Sequence, residues 1–285
     1  MNPTTRKTRV RTEAGGEGSD VSSAPPESQQ SEAAMDRQTG CYVYGILPGD
    51  VELVDDVRGV GGQQVKLVRT DTLAALANEV DLIGPIGTPE DLQAHQQLLD
   101  SVAAVAPVLP LRFGAVLNSE DAVREELLEP HRDEFTAALE ELEGRAQFVV
   151  KGRYIEPAIL EEILSQDSAA ADLRQQIRGQ DADATRQERM RLGEIISNAI
   201  STRRDEDTQL LLSRMSEHSV ASFVREPTHE LDAVNVAFLL EGDQEEELNQ
   251  VVEDLGADWD GRVELRVLGP MAPYDFVASG QETRS

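Results

Sequence analysis

Residues 41–47 read Cys41-Tyr42-Val43-Tyr44-Gly45-Ile46-Leu47 and run into Pro48-Gly49. An unbroken run of β-branched, aromatic and apolar side chains closed by a Pro-Gly pair is the pattern of a buried strand and its turn. Outward from it, Val65 to Arg69 alternates apolar and polar residues, as a half-buried strand does. Leu73 to Val80 is short and lies between Thr70-Asp71 and the loop Gly84-Pro85-Ile86-Gly87, so it reads as a third strand. Thr88 has the chemistry of a helix N-cap, with Pro89 at the first helical position and Asp91 three residues after the cap. Leu92, His95, Leu99, Val102, Ala103 and Ala106 recur at helical spacing, and Pro107 ends the helix. Pro107 to Phe113 is too short and proline-rich for a helix and reads as a strand. Pro110 offers no ladder donor and therefore belongs on an edge or at a bulge.

Ser119 opens a second helix, with the apolar stripe Val123, Leu127, Leu128, Phe135, Ala138, Leu139 and Leu142, a break at Pro130 and a stop at Gly144. A strand from Phe148 to Tyr154 completes the order β-β-β-α-β-α-β. Antiparallel sheet with helices packed on one face is the natural solution for that order. Pro157 to His218 reads as helical, with Leu192, Ile195, Ile196, Ala199 and Ile200 on one face of its later part. Val220 to Arg225 and Val234 to Leu240 are expected strands. Leu248, Val251, Val252 and Leu255 mark a helix ended by Gly256, and Val263 to Leu268 is a last strand. Pro270 and Pro273 keep the tail to Val277 out of a central strand, so it is expected to lie extended across a surface.

The expected plan is an α+β protein. Residues 1–40 form a disordered extension, 41–155 a first α+β domain, 156–218 a helical segment, and 219–285 a smaller α+β part with an extended tail. The extension carries Gly15-Gly16, Ser22-Ser23, Pro25-Pro26 and Gln29-Gln30 and few large apolar residues, too little to offset the entropy of ordering. Its basic start, Arg6, Lys7, Arg9 and Arg11, is not followed by an apolar segment of a signal peptide.

Across 285 residues, 26 basic side chains face 54 acidic ones, for a net charge of −28. That balance argues against nucleic acid, which needs a basic stripe, and against docking on anionic lipid. The longest nearly apolar stretch, Val102 to Leu111, is interrupted by Pro107 and Pro110, so no transmembrane segment is expected. Only Lys7, Lys66 and Lys151 of the 26 basic residues are lysine, a pattern that resembles proteins of salt-in halophiles. Concentrated salt shortens the Debye length to about 3 Å at 1 M and screens such crowded carboxylates.

Recognisable catalytic apparatus is missing. There is no phosphate loop, no GxGxxG, no GxSxG elbow and no HExxH. Gly59-Val60-Gly61-Gly62 reads as a flexible turn. His95 and His131 fall on the apolar sides of their helices, as core histidines do. Cys41 is the single cysteine, which excludes an internal disulfide and any multi-cysteine metal site. The runs Asp205-Glu206-Asp207 and Glu245-Glu246-Glu247 read as solvated faces. No cofactor and no metal is expected.

Two segments carry more than composition. Tyr42-Val43-Tyr44-Gly45-Ile46-Leu47-Pro48 is followed some way on by Pro107-Val108-Leu109-Pro110-Leu111-Arg112-Phe113-Gly114. Val234-Asn235-Val236-Ala237-Phe238-Leu239-Leu240 is followed by Gly269-Pro270-Met271-Ala272-Pro273-Tyr274-Asp275-Phe276-Val277. Together they resemble the GvpL/GvpF family of gas vesicle proteins. His95 ahead of the Pro-Val-Leu-Pro strand, Val149-Val150-Lys151, and Leu192-Gly193 with the later Arg203-Arg204 fit the same family. Met271 and Ala272 depart from it, standing where the family often has an aromatic and a proline. The length and acidity resemble the GvpL type from a salt-in halophile.

The resemblance implies a ferredoxin-like N-terminal domain and a second α+β domain. It implies a non-enzymatic, cytoplasmic accessory protein of gas vesicle assembly, associated with vesicles or a minor component of them. The implied partners are the small hydrophobic shell protein and other accessory vesicle proteins. On that reading the partner-binding candidates are Pro107, Leu109, Pro110, Arg112 and Phe113, with Pro270, Tyr274 and Phe276 in the tail, where Tyr274 and Phe276 are expected to staple the two domains. Arg112 has a second reading, an ion pair with an internal carboxylate. A ferredoxin-like regulator that binds a small molecule is the alternative function, and an enzyme using the scattered histidines is a third.

Overall fold

The computed structural model describes residues 39–53, 57–82 and 87–277. The expected extension, up to residue 38, lies outside the described residues, as does the loop at 83–86. The chain divides into two compact units. One holds the residues up to Ala146 together with Pro270 onward, and the other holds Gln147–Gly269.

The first unit contains β1 (Thr39–Pro48), β2 (Lys66–Arg69), β3 (Leu73–Asp81), α1 (Pro89–Ala103) and the short strands β4 (Leu109–Pro110) and β5 (Val116–Leu117). A helical turn α2 (Glu120–Ala122), opened by the Ser119 hydroxyl cap, runs on as a π-helical turn over Val123–Leu128. Past Pro130 the chain resumes as α3 (Arg132–Glu141). The sheet order is β2-β3-β1-β4, with β5 also on β1. β1 and β3 are antiparallel from Thr39↔Asp81 to Pro48↔Leu73, with a register shift between Val43 and Gly45. The capping box expected at Thr88 is present: the Thr88 hydroxyl accepts from the Asp91 amide and the Asp91 carboxylate accepts from the Thr88 amide. The buried stripe of α1 is His95, Leu98, Leu99 and Val102, so the face is turned slightly from the expected one and Leu92 is exposed.

The second unit contains most of β6 (Arg145–Tyr154), then α4 (Glu156–Gln166), α5 (Ser168–Ile177), α6 (Arg186–Met215), β7 (Ala221–Val224), β8 (Asp232–Glu241), α7 (Glu245–Asp258) and most of β9 (Val263–Met271). Its sheet order is β7-β8-β6-β9. Both sheets are antiparallel and the fold is α+β.

Counted from the first strand of each unit, the two sheets share one order, 2-3-1-4, which is that of the ferredoxin-like β-α-β-β-α-β motif. In the second unit α4, α5 and α6 supply the first crossover. In the first unit that connection carries only a 3-10 turn at Val60–Gly62 among its described residues.

One strand is placed differently from the sequence expectation. The strand after α3 was read as the last of the first sheet; it is β6, between β8 and β9 in the second. Chain order alone leaves open which sheet a strand joins. The tail also differs in detail: β9 extends through Pro270 to Met271, and Tyr274–Val277 forms a helical turn. Helix α7 continues past Gly256 to Asp258.

Candidate functional site

The two stretches that carry the sequence signal meet at one histidine in the first unit. The ring of His95 on α1 lies 5.5 Å from that of Phe113, edge-on, and 6.4 Å from that of Tyr274. Tyr42 and Tyr44 of β1 complete the cluster, 5.8 and 5.4 Å from the same ring. Below the tail turn, the Ala272 amide donates to the Asp100 carboxylate at 2.9 Å, fixing the tail to α1. The loop before β5 is tied in as well. Gly114, at φ +90°, donates its amide to the Tyr42 hydroxyl at 3.1 Å, a conformation that a side chain would strain.

Polar groups in this cluster are held away from water. The Tyr42 hydroxyl lies 2.9 Å from His95 Nδ1. The Tyr44 hydroxyl donates to Asn78 and accepts from the Val60 amide at 2.6 Å. Burial pushes the His95 pKa down to about 4, against the opposing pull of the Leu111 carbonyl, so the ring is neutral at pH 7. Burial raises the pKa of Tyr42, Tyr44 and Tyr274, keeping all three phenols protonated. A neutral, 1 % exposed histidine packed by four aromatic rings organises a core.

The candidates therefore separate by exposure. Leu109 and Pro110 are buried; Pro107, Phe113, Tyr274 and Phe276 are half-buried; Arg112 and Pro270 are exposed. Pro110 lies on the edge strand β4, as its missing amide hydrogen requires. Arg112 forms no ion pair with a described residue, so no described carboxylate answers the internal-carboxylate reading. By contrast, the exposed Arg186 and the half-buried Arg124 and Arg203 each sit against a carboxylate.

Other sequence readings change on folding. The Gly-rich turn at 59–62 is pinned, not free: the Val60 amide is held by Tyr44 and the Gly61 amide donates to Asp91 at 3.0 Å. That bond, with the cap contacts, lowers the Asp91 pKa despite some desolvation. His131 is not on a buried side; it stands exposed, 3.4 Å from the Glu134 carboxylate. Cys41 is buried, and burial pushes its thiol pKa up, with Glu120 adding to the effect. Among the described residues no group of three or more His, Cys, Asp or Glu is placed to hold a metal, and no helix is long and apolar enough to cross a membrane.

Two features escaped the sequence. Asp207, read as part of a solvated acidic run, is buried on α6 and paired with Arg262. The strand β7 forms the edge of the second sheet, and its Phe223 and Val224 are exposed, with Val220 just ahead of it. An uncovered edge bearing apolar side chains invites another strand. The available signal was the apolar composition of Val220 to Val224; that it would be an edge was not visible.

The chain is similar to gas vesicle proteins of several organisms. It is 29% identical over 242 residues to gas vesicle protein F of Streptomyces sp. (strain CB03234), covering 83% of this chain and 98% of that one. It is 28% identical over 263 residues to gas vesicle protein L of the same strain, covering 85% and 94%. The fold matches the crystal structure of the gas vesicle protein GvpF from Anabaena sp. PCC7120 with a TM-score of 0.69 at 25% identity, over 84% of this chain and 98% of that one. Relatives named F and L match at nearly equal identity, so identity does not sort the chain to one type. With the model for gas vesicle synthesis protein GvpL/GvpF matching residues 40–278, the chain belongs to the GvpL/GvpF family.

Proposed function

We propose that the chain is a non-enzymatic accessory protein of gas vesicle assembly that binds the small hydrophobic shell protein and other accessory vesicle proteins in the cytoplasm. The observation that carries this reading is the family match, which spans residues 40–278 and leaves neither compact unit outside it. The geometry supplies surfaces suited to the task. A very apolar shell subunit needs its strand edges covered before assembly, and the β7 edge with Phe223 and Val224 offers a matching strand. Arg112, beside the β4 edge and without an ion-pair partner among the described residues, offers its guanidinium to a partner carbonyl or carboxylate, with the half-buried Pro107 and Phe113 near it in sequence.

The GvpL type from a salt-in halophile is the finer assignment. Alignments to L-named relatives run longer, over 263 and 285 residues, than the 241 residues matched in the F1 protein of Halobacterium salinarum. The net charge of −28 supports a salt-rich cytoplasm. Deleting the gene in a vesicle-forming host tests the assembly role. Loss of vesicles, restored by the wild-type gene, is the expected result; vesicles in normal number without the protein would overturn it.

A further inference from the structure

The second unit holds a pocket of about 270 Å³ against its sheet, lined by none of the candidates above. Lys151 and Arg153, two apart on β6, share one face of the strand, and Glu264 and Arg266 do the same on β9. Lys151 is one of three lysines in a chain with twice as many acids as bases. Yet neither Lys151 nor Arg266 forms an ion pair with a described residue, although both are exposed.

The acids in the pocket do not neutralise this pair. Asp232 is occupied elsewhere: one oxygen accepts from the Thr228 amide and hydroxyl and the His229 amide at 2.8–2.9 Å, and the other faces Arg153 at 3.5 Å. Glu264 also forms no ion pair with a described residue. At the pocket wall, Asn235 on β8 is 8% exposed. Its Nδ2 donates to the Glu226 carbonyl, but its buried Oδ1 has no partner. A buried acceptor without a donor is unfavourable, and so are two cations that line one pocket with no ion-pair contact to a described residue. One ligand answers both.

We propose that this pocket binds a small molecule through an oxyanion group, a phosphate or a carboxylate, held by Lys151 and Arg266, with a ligand hydroxyl or ammonium donating to Asn235. The charge-assisted bonds to the two cations supply the affinity, and Glu264 opposes it. The inference stands apart from the vesicle reading, since it rests on the pocket alone.

Inorganic phosphate and succinate are titrated separately into the isotope-labelled full chain at constant ionic strength, following amide shifts by NMR. The expected result is saturable shifts confined to residues around Lys151, Asn235 and Arg266. Whichever of the two binds more tightly identifies the group. Lys151→Gln and Arg266→Gln, both at exposed positions, are expected to weaken binding at least about tenfold each. Glu264→Gln is expected to strengthen it. No localised shift with either probe up to about 10 mM would overturn the proposal. Wild-type affinity in both Lys151→Gln and Arg266→Gln would overturn it as well.

Discussion

Arg262 grips Asp207 with both ends of its guanidinium, Nη1 to Oδ2 and Nη2 to Oδ1, each at 2.8 Å. The Tyr154 hydroxyl donates to the same Oδ2 at 2.7 Å. Arg262 also lies over the rings of Tyr154 and Trp259, at 5.9 and 5.4 Å. Burial alone would weaken the charge on Arg262; the Asp207 carboxylate outweighs it and raises the pKa. The pair thus joins α6 to the turn before β9 inside the second unit.

Removing Arg262 leaves the Asp207 charge buried, and removing Asp207 leaves a half-buried guanidinium without its carboxylate. Asp207→Ala or Arg262→Ala is therefore expected to destabilise the protein by about 3–5 kcal/mol. Arg262→Lys keeps the charge but loses the fork and is expected to cost less, about 1–3 kcal/mol. Chemical unfolding in molar salt checks both. A loss below about 1 kcal/mol for either alanine variant would refute the account of this pair.

His95 makes stability depend on pH with a defined sign. Its folded pKa, about 4, lies below the ordinary 6.5. As pH falls below 6.5 the unfolded chain takes up a proton that the folded chain refuses, so this contribution is whole above 6.5 and is lost progressively down to about pH 4. The expected loss is roughly 2–3 kcal/mol. Carboxylates titrate in the same window, so the quantity to measure is the difference between wild type and His95→Gln at each pH. A difference that stays constant from pH 7 to 4 would contradict the buried neutral ring.

Gly45 lets the β4 edge approach β1. A Cβ there would stand 2.8 Å from the Leu109 carbonyl oxygen and 3.0 Å from the Leu99 and Val108 side chains. Backbone on one side and packed core on the other leave no easy relief. Gly45→Ala is expected to cost about 1–3 kcal/mol, read from the unfolding midpoint, and to loosen amide protection at Leu111, whose N–H bonds the Tyr44 carbonyl. Wild-type stability in that variant would show the strand free to shift.

The net charge of −28 predicts a salt requirement. Self-repulsion is long-ranged at about 0.1 M salt and confined to about 3 Å at 1 M. The thermal midpoint is expected to rise steadily between about 0.1 and 3 M potassium chloride. Equal midpoints would contradict the halophilic reading.

Local chemistry made the elements legible. Tyr42 to Leu47 announces its strand through composition, and Thr88-Pro89 with Asp91 announces α1 through capping and φ restriction. Pro110 announces an edge by lacking a donor. What stayed hidden depends on pairing across the chain. Phe148-Val149-Val150 reads as a strand, but nothing local says that β8 and β9 will flank it. Asp207 looks like its neighbours Asp205 and Glu206 until Arg262, 55 residues on, is placed opposite. The cations Lys151 and Arg266 lie far apart in sequence and line one pocket only because β6 and β9 are neighbours. Arg112 was legible as a candidate and is exposed, whereas Leu109 was equally legible and is core.

The proposed contact with the shell protein is tested most directly by co-purification of the tagged full chain with the small hydrophobic vesicle shell protein, in molar salt. Phe223→Asp and Arg112→Ala are run beside it. Both are exposed positions, where substitution is expected to change stability by no more than about 0.5 kcal/mol. The account predicts retention of the shell protein by the wild type, and reduced retention by at least one of the two variants while each remains folded by circular dichroism. A folded wild-type protein that retains no shell protein would contradict it.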